Sequence, residues 1–298
     1  MNSYFNNITE KIPIDKGWSP ARKYRAVTAS GDSYLLRVEP PERINRNIRH
    51  YLHMQKVAKL EIPMCIPLEE GVCPDGPYLI QSWVDGQDAE EVLPGYSPEQ
   101  QYTYGLEAGR ILQKIHSIPV PAEVMPWDQY FNRKIDRKLE AYAACPLKYA
   151  QGEELISFIQ THRHLLSHRP QTFQHGDYHC GNMMIDTSGQ LTIIDFDKWD
   201  YGDPWEEFNR IVWCAQCAPA FASGRIAGYF DGPVPEEFWQ LLALYMANNC
   251  IASLPWAVSY SDREVQVMRR QAETILQWYD HFHTIIPSWY QSDWRNSL

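Results

Sequence analysis

No run of eighteen apolar residues occurs in this 298-residue chain, so it lacks the plain signature of a helix that crosses a bilayer. Its start, MNSYFNNITEKIPIDK, has neither the basic opening nor the apolar middle of a secretory signal. Cysteine is sparse: seven residues, an odd number, scattered through the chain. Reduced thiols are therefore expected, not a disulfide framework, and with them a cytoplasmic location and no membrane partner. Internal repeats and low-complexity linkers are also missing. Positive charge is short in one part only. Residues 1–86 balance at +1 and residues 87–298 at −11, for a net charge of −10. An acidic surface repels nucleic acid and attracts cations, although solubility alone accounts for it equally well. A monomer or homodimer is expected.

What is present begins with strands. KYRAVTA and SYLLRVE flank Ser30-Gly31-Asp32, which predicts a hairpin. Residues 43–60 place Ile44, Ile48, Leu52, Val57 and Leu60 at helical spacing. YLIQSWV (78–84) reads as a buried strand ending at the turn signal Asp85-Gly86. Beyond it the pattern turns helical. Ser97-Pro98-Glu99-Gln100 is a capping box with proline at the first helical position. Further helices are expected over about 129–144, 152–167, 204–222, 235–253 and 262–283. One short β segment interrupts them: TFQ, then the loop HGDYHCGN, then MMID, the turn TSGQ and LTIID. The expectation is an α+β chain with a β-rich N-terminal lobe over 1–86 and a mostly helical C-terminal lobe over 87–298, breaking near Gly86.

The loop crowds His175, Asp177, His179 and Asn182 into eight residues, and IIDFD follows with two more carboxylates. Three readings compete. A satisfied polar loop would use these side chains on nearby backbone. A metallophosphoesterase would use Asp and His two apart as metal ligands, but the further ligand element such a site needs is absent. Phosphoryl transfer needs a carboxylate to accept a hydroxyl proton, and an amide with a second carboxylate to hold Mg²⁺. Asp177-x-x-x-x-Asn182 followed by Asp195-Phe196 has that spacing. The intervening hairpin would set Asn182 and Asp195 side by side.

These residues resemble a known family. The stretch from His175 to Asn182 looks like the HGDxHxxN motif of the aminoglycoside phosphotransferase family, a branch of the protein-kinase-like fold. IIDFDKWDYGDPWEEF (193–208) is similar to its IDFxxxxxGDPxxD element, with Glu207 in place of the final acid. GRILQKIHSI (109–118) and YLIQSWVDGQD (78–88) resemble the helix before the catalytic loop and the hinge between lobes. The likeness implies a two-lobed small-molecule kinase that uses ATP or GTP with Mg²⁺. By it, Asp177 is the base, Asn182 and Asp195 bind the metal, and His175, His179 and Asp203 support the loop. The backbone of Gln81, Ser82 and Trp83 meets the purine, and DKGWSPARKY (15–24) covers the phosphates, though with a single glycine.

Two departures stand out. Arg37 takes the place of the phosphate-binding lysine, and its planar fork reaches differently from an ammonium. The helix over 43–60 holds no Asp or Glu, so the usual acidic partner is missing from it. A nucleotide-binding pseudokinase, or a non-catalytic protein on this fold, stays open for that reason. On the same helix Arg46, Arg49, His53 and Lys56 share a face, read as solvated ahead of phosphate-binding. Cys214-x-x-Cys217 reads as structural thiols ahead of a metal or redox pair. Trp239, Trp256 and Tyr260 are aromatic candidates for an acceptor pocket.

The family's acceptors include aminoglycosides, macrolides, choline, homoserine and methylthioribose. The acidic C-terminal lobe would suit a cationic acceptor, with Glu206, Glu207, Asp231, Glu236, Glu237 and Asp262 as candidate lining acids. An aminoglycoside acceptor would imply antibiotic resistance.

Overall fold

The computed structural model of the chain describes residues 3–15 and 19–292. Residues 16–18 of the expected phosphate-covering loop lie outside them. In chain order the elements are β1 (Ile8–Ile14), β2 (Arg22–Thr28), β3 (Ser33–Val38), α1 (Ile44–Ala58), β4 (Pro67–Cys73), β5 (Gly76–Ser82), β6 (Gly86–Asp88) and α2 (Ala89–Val92). Then follow α3 (Pro98–Ile115), α4 (Trp127–Ala144), α5 (Gly152–His162), β7 (Thr172–Gln174), β8 (Met183–Asp186), β9 (Leu191–Ile193) and β10 (Asp200–Gly202). The last are α6 (Ile211–Cys217), α7 (Pro219–Phe230), α8 (Glu236–Val258) and α9 (Asp262–Trp278). The chain divides into two compact units, residues 1–92 with 175–199 and residues 93–174 with 200–298.

Unit one carries an antiparallel sheet in the order β1-β2-β3-β5-β4. Its apolar face gathers Ala26, Leu36, Val38, Tyr78 and Ile80. The expected β2–β3 hairpin is present and turns at Gly31, whose φ of +89° suits a residue without Cβ. The edge strand β1 and strand β4 went unread because ITEKIPI and PLEEGVC are too polar to alternate cleanly. The expected break near Gly86 falls inside unit one. The 175–199 stretch, expected with the helices, groups with the strands because β8 pairs with both β6 and β9. Residues before β4 add to this: Cys65 N–H donates to the Ile193 carbonyl at 3.1 Å.

Helix α1 forms where its spacing predicts, but its buried face is a different one. Ile44, Ile48 and Leu52 are exposed, while Asn47, His50, His53, Met54 and Val57 are buried. Two of the buried polar groups meet partners from outside the helix. The Asn47 amide donates to the Tyr78 carbonyl at 2.9 Å, and the His53 ring lies 3.7 Å from that of Trp199.

Unit two is helical apart from β7, expected at TFQ, and its antiparallel partner β10, which was not foreseen. Both halves of the Ser97–Gln100 capping box are made. Helices α3 and α7 meet through Gly105 and Gly109 on one and Gly224 and Gly228 on the other, backbone against backbone. The single helix expected over 204–222 is broken, because Pro219 lacks an N–H and holds Ala218 out of the helical region at φ −152°, ψ 81°. Helix α8 is long and apolar enough to cross a membrane, which no strict apolar run had suggested. Its apolar window is 67% buried inside the fold, as befits a core helix.

Candidate active site

The loop from His175 to Asn182 lies wholly in unit one and is held by its own side chains. His175 is buried; its Nε2–H donates to the Ile194 carbonyl at 3.0 Å, and its Nδ1 accepts the Asp177 N–H at 3.3 Å. Both ring nitrogens thus serve the backbone, which fixes the tautomer and leaves no ligating position. Gly176, at φ +83°, sits where a Cβ would strike the Lys198 carbonyl. His179 Nδ1 accepts the Gly181 N–H at 3.1 Å, and its Nε2 lies 3.6 Å from an Asp177 carboxylate oxygen.

Two hydrogen bonds connect the candidate base to the candidate metal ligands. The Asn182 amide donates to the Asp177 carbonyl at 2.9 Å. The Ile194 N–H donates to the Asn182 carbonyl at 3.0 Å, extending the β8–β9 register by one step. Asp186 makes that hairpin compact by accepting from the Ser188 and Gln190 N–H groups. Asn182 and Asp195 therefore end adjacent strand termini, as their spacing predicts.

Asp195 adopts φ +60°, ψ +61°, a left-handed conformation that a side chain disfavours. Its carboxylate meets Arg37 at 2.8 Å and Lys23 at 3.5 Å. Burial pushes its pKa up, but these two cations outweigh burial and hold it well below the ordinary carboxylate range. Arg37, only 2% exposed, also meets Asp197 at 3.1 Å and Glu39 at 3.7 Å. Burial disfavours its charge and the carboxylates more than restore it. Asp197 follows the same logic: burial raises its pKa, and Arg37, His50 and Arg46 bring it below the ordinary value.

A metal fits this donor set. Mg²⁺ takes oxygen ligands, commonly one or two from protein and the rest from phosphate and water. The Asn182 Nδ2 is bound to Asp177, which leaves its Oδ1 as the ligating atom beside Asp195. Among the described residues no group of three or more His, Cys, Asp or Glu could cage a metal. A dinuclear phosphoesterase site would require such a cage.

The other predicted residues have distinct surroundings. Gln81 is buried within β5, and the Ser82 N–H is committed to the Ile66 carbonyl at 2.8 Å. Arg25 lies over the Trp83 ring at 5.1 Å. The Asp203 carboxylate accepts two bonds from Arg169, at 2.8 and 3.1 Å, and one from Tyr245 at 2.7 Å. The Gln174 amide donates to the Asp203 carbonyl at 2.8 Å. Glu206 pairs with Lys134 at 3.3 Å. Glu207 is buried against His116 at 3.4 Å, so its carboxylate is not an acid open to an acceptor. Asp231, at φ +44°, caps the end of α7 and is exposed. Glu237 pairs with Arg169 at 3.2 Å, and Glu236 and Asp262 open α8 and α9.

On α1 the basic face is only partly solvated: Arg49 and Lys56 are exposed, but Arg46 donates to Asp197. Cys214 is buried, Cys217 half-buried, and all seven cysteines are unbridged. Trp239 is core, whereas Trp256 and Tyr260 are exposed and lie against each other, tilted by 39°, with ring centroids 4.6 Å apart. Reading by motif missed Lys23, Glu39 and Asp197. The signal for Asp197 was present: an arginine lacking a helix acid, and a second carboxylate in IIDFD.

The model of a phosphotransferase enzyme family matches residues 11–239. A choline/ethanolamine kinase family protein from Mesorhizobium loti is similar at TM-score 0.64 and 18% identity, over 93% of this chain and 90% of that one. A thermostable mutant of an aminoglycoside phosphotransferase, bound to ADP and hygromycin B, is similar at TM-score 0.65 and 17% identity, over 91% and 95%. The GDP complex of wild-type aminoglycoside 2′-phosphotransferase-IIIa matches at TM-score 0.67 and 14% identity, over 90% and 92%. A sequence search of curated proteins finds no match. At these identities the structural likeness establishes the fold: two-lobed, α+β and kinase-like.

Proposed function

This chain belongs to the phosphotransferase enzyme family, and on that premise we propose that it transfers the γ-phosphoryl group of ATP or GTP to a hydroxyl of a small molecule. The observation that carries the reading is the pair of bonds through Asn182, which joins the Asp177 loop to the strand end bearing Asp195.

Asp177 is the base. The acceptor oxygen forms a bond to the γ-phosphorus as the bond to the β-phosphate bridging oxygen breaks, and the hydroxyl proton passes to the Asp177 carboxylate. Asn182 and Asp195 would hold Mg²⁺, which when bound neutralises charge on the phosphates. Arg37 adds a fixed cation for the same anions. Protein chemistry here is positioning and electrostatics, and the buried His175 supplies the rigidity by pinning the loop at both ring nitrogens. The non-catalytic alternative was motivated by an arginine without an acid. Arg37 has three carboxylates within 3.7 Å, which removes that motive.

The acceptor we propose is small and cationic, such as an aminoglycoside. The net charge of −10 and the exposed Asp231 support this. The test is phosphate transfer from Mg–ATP and Mg–GTP to aminoglycosides, macrolides, choline, homoserine and methylthioribose, with Asp177→Ala as control. Transfer to a cationic member, absent in the control, is expected. Transfer only to neutral or anionic acceptors would overturn the acceptor class. Silence across the panel, together with no nucleotide binding, would overturn the reaction.

A further inference from the structure

Helix α1 offers cations where an acid would be sought. Arg46 Nη2 donates to the Asp197 carboxylate at 3.1 Å and to the Asp197 carbonyl at 2.7 Å. His50 Nδ1 lies 4.0 Å from the same carboxylate. On its other side Asp197 meets Arg37 Nη2 at 3.1 Å, while Arg37 Nη1 meets Asp195 at 2.8 Å. One carboxylate thus stands between an arginine of β3 and an arginine of α1. We propose that Asp197 is the positioning residue that orients Arg37 towards nucleotide phosphate, and that Arg46 couples the placement of α1 to Arg37 through it. The inference rests on the proposed role of Arg37 at the phosphates.

The geometry distinguishes Asp197 from the other two acids. A guanidinium is planar, so holding Nη2 fixes where Nη1 points. With Asp197 on Nη2, Nη1 is the end able to exchange Asp195 for a phosphate oxygen. Glu39 is farther from Arg37, lies just past β3 and is shared with Arg43, so it carries no information from α1. Asp197 is gripped by Arg46 at both carboxylate and carbonyl, so it must follow the helix.

Calorimetric binding of ATP to the full chain, with melting of the nucleotide-free protein alongside, tests this. Arg37→Ala comes first. Wild-type ATP affinity in that variant would refute the phosphate role of Arg37 itself. If Arg37→Ala weakens binding, Asp197→Asn is expected to raise the Kd for ATP by about tenfold, the scale of one lost charged partner. Arg46→Glu alone, setting acid against acid, should be worse than Arg46→Gln. Combined with Asp197→Asn it should instead recover affinity, because the acid has moved from the turn to the helix. A merely structural role would lower the melting temperature and leave Kd unchanged in all of these, and that result overturns the inference. If Asp197→Asn does not fold, Arg46→Gln decides, since it leaves all three carboxylates around Arg37 in place: a severalfold higher Kd supports the coupling and an unchanged one overturns it.

Discussion

Arg169 grips Asp203 through two separate nitrogens, Nε at 2.8 Å and Nη2 at 3.1 Å, with the carboxylate fully buried. Tyr245 and the Trp205 N–H complete its shell, and Arg169 lies 3.8 Å over the Trp205 ring. Removing the acid leaves a nearly enclosed guanidinium without its main counter-charge. Asp203→Ala should therefore cost about 3–5 kcal/mol, read by urea unfolding. Asp203→Asn keeps part of the hydrogen bonding and should cost less. A cost under about 1 kcal/mol for the alanine would show that Glu237 suffices as the partner of Arg169.

Asp177 is tested by separating chemistry from binding. Its side chain contacts His179, and the loop is held by backbone and imidazole bonds that do not use the carboxylate. Asp177→Asn should lower kcat by about 10²–10⁴ while Mg–ATP still raises the melting temperature by mass action. Wild-type turnover in the variant would remove Asp177 from the base role.

The α3–α7 contact makes a stability prediction that runs against helix propensity. Alanine in a helix interior is favoured over glycine by about 1 kcal/mol. At Gly105 a Cβ would fall on the Phe221 carbonyl and crowd Gly224. Gly105→Ala should thus destabilise, with overpacking of about 1–3 kcal/mol or more exceeding the propensity gain. Gly95→Ala, where a Cβ meets nothing within 4 Å, should stay within about 0.5 kcal/mol of wild type. Equal melting temperatures for the two variants would contradict the close approach.

The candidate site was legible where chemistry is local in sequence. Asp177, Asn182 and Asp195 sit on one loop and one hairpin, so spacing alone predicts their neighbourhood. The α3 capping box is legible for the same reason. The buried face of α1 was not, because Asn47, His50 and His53 find partners at Tyr78, Asp197 and Trp199, all distant in sequence. Apolar spacing predicts burial only where such partners are lacking. Glu207 illustrates the reverse error: an acid read as a candidate lining of the acceptor site is enclosed with His116. The break at Ala218–Pro219 was readable from the proline.

The same two histidines make the stability of the fold depend on pH. Burial, then Arg37, lowers the pKa of His50 to about 3, although Asp197 and Asp195 oppose the shift and Arg46 assists it. Burial, then Lys56 and Arg49, lowers that of His53 to about 4. Both are therefore neutral in the folded chain at neutral pH, while their unfolded value is about 6.5. Above that value neither matters. As pH falls below it, the unfolded chain takes up protons that the folded chain refuses, and stability drops by up to about 1.4 kcal/mol per pH unit for each histidine. The loss continues until the folded values are reached. Asp195 and Asp197, whose pKa values are lowered, add a separate loss only below their unfolded value of about 3.9. Urea unfolding between pH 7.5 and 5 should show the decline in the wild type and a shallower one in a His50→Gln, His53→Gln double variant. An identical slope in the two proteins would mean that these imidazoles take up protons as readily in the folded chain as in the unfolded one.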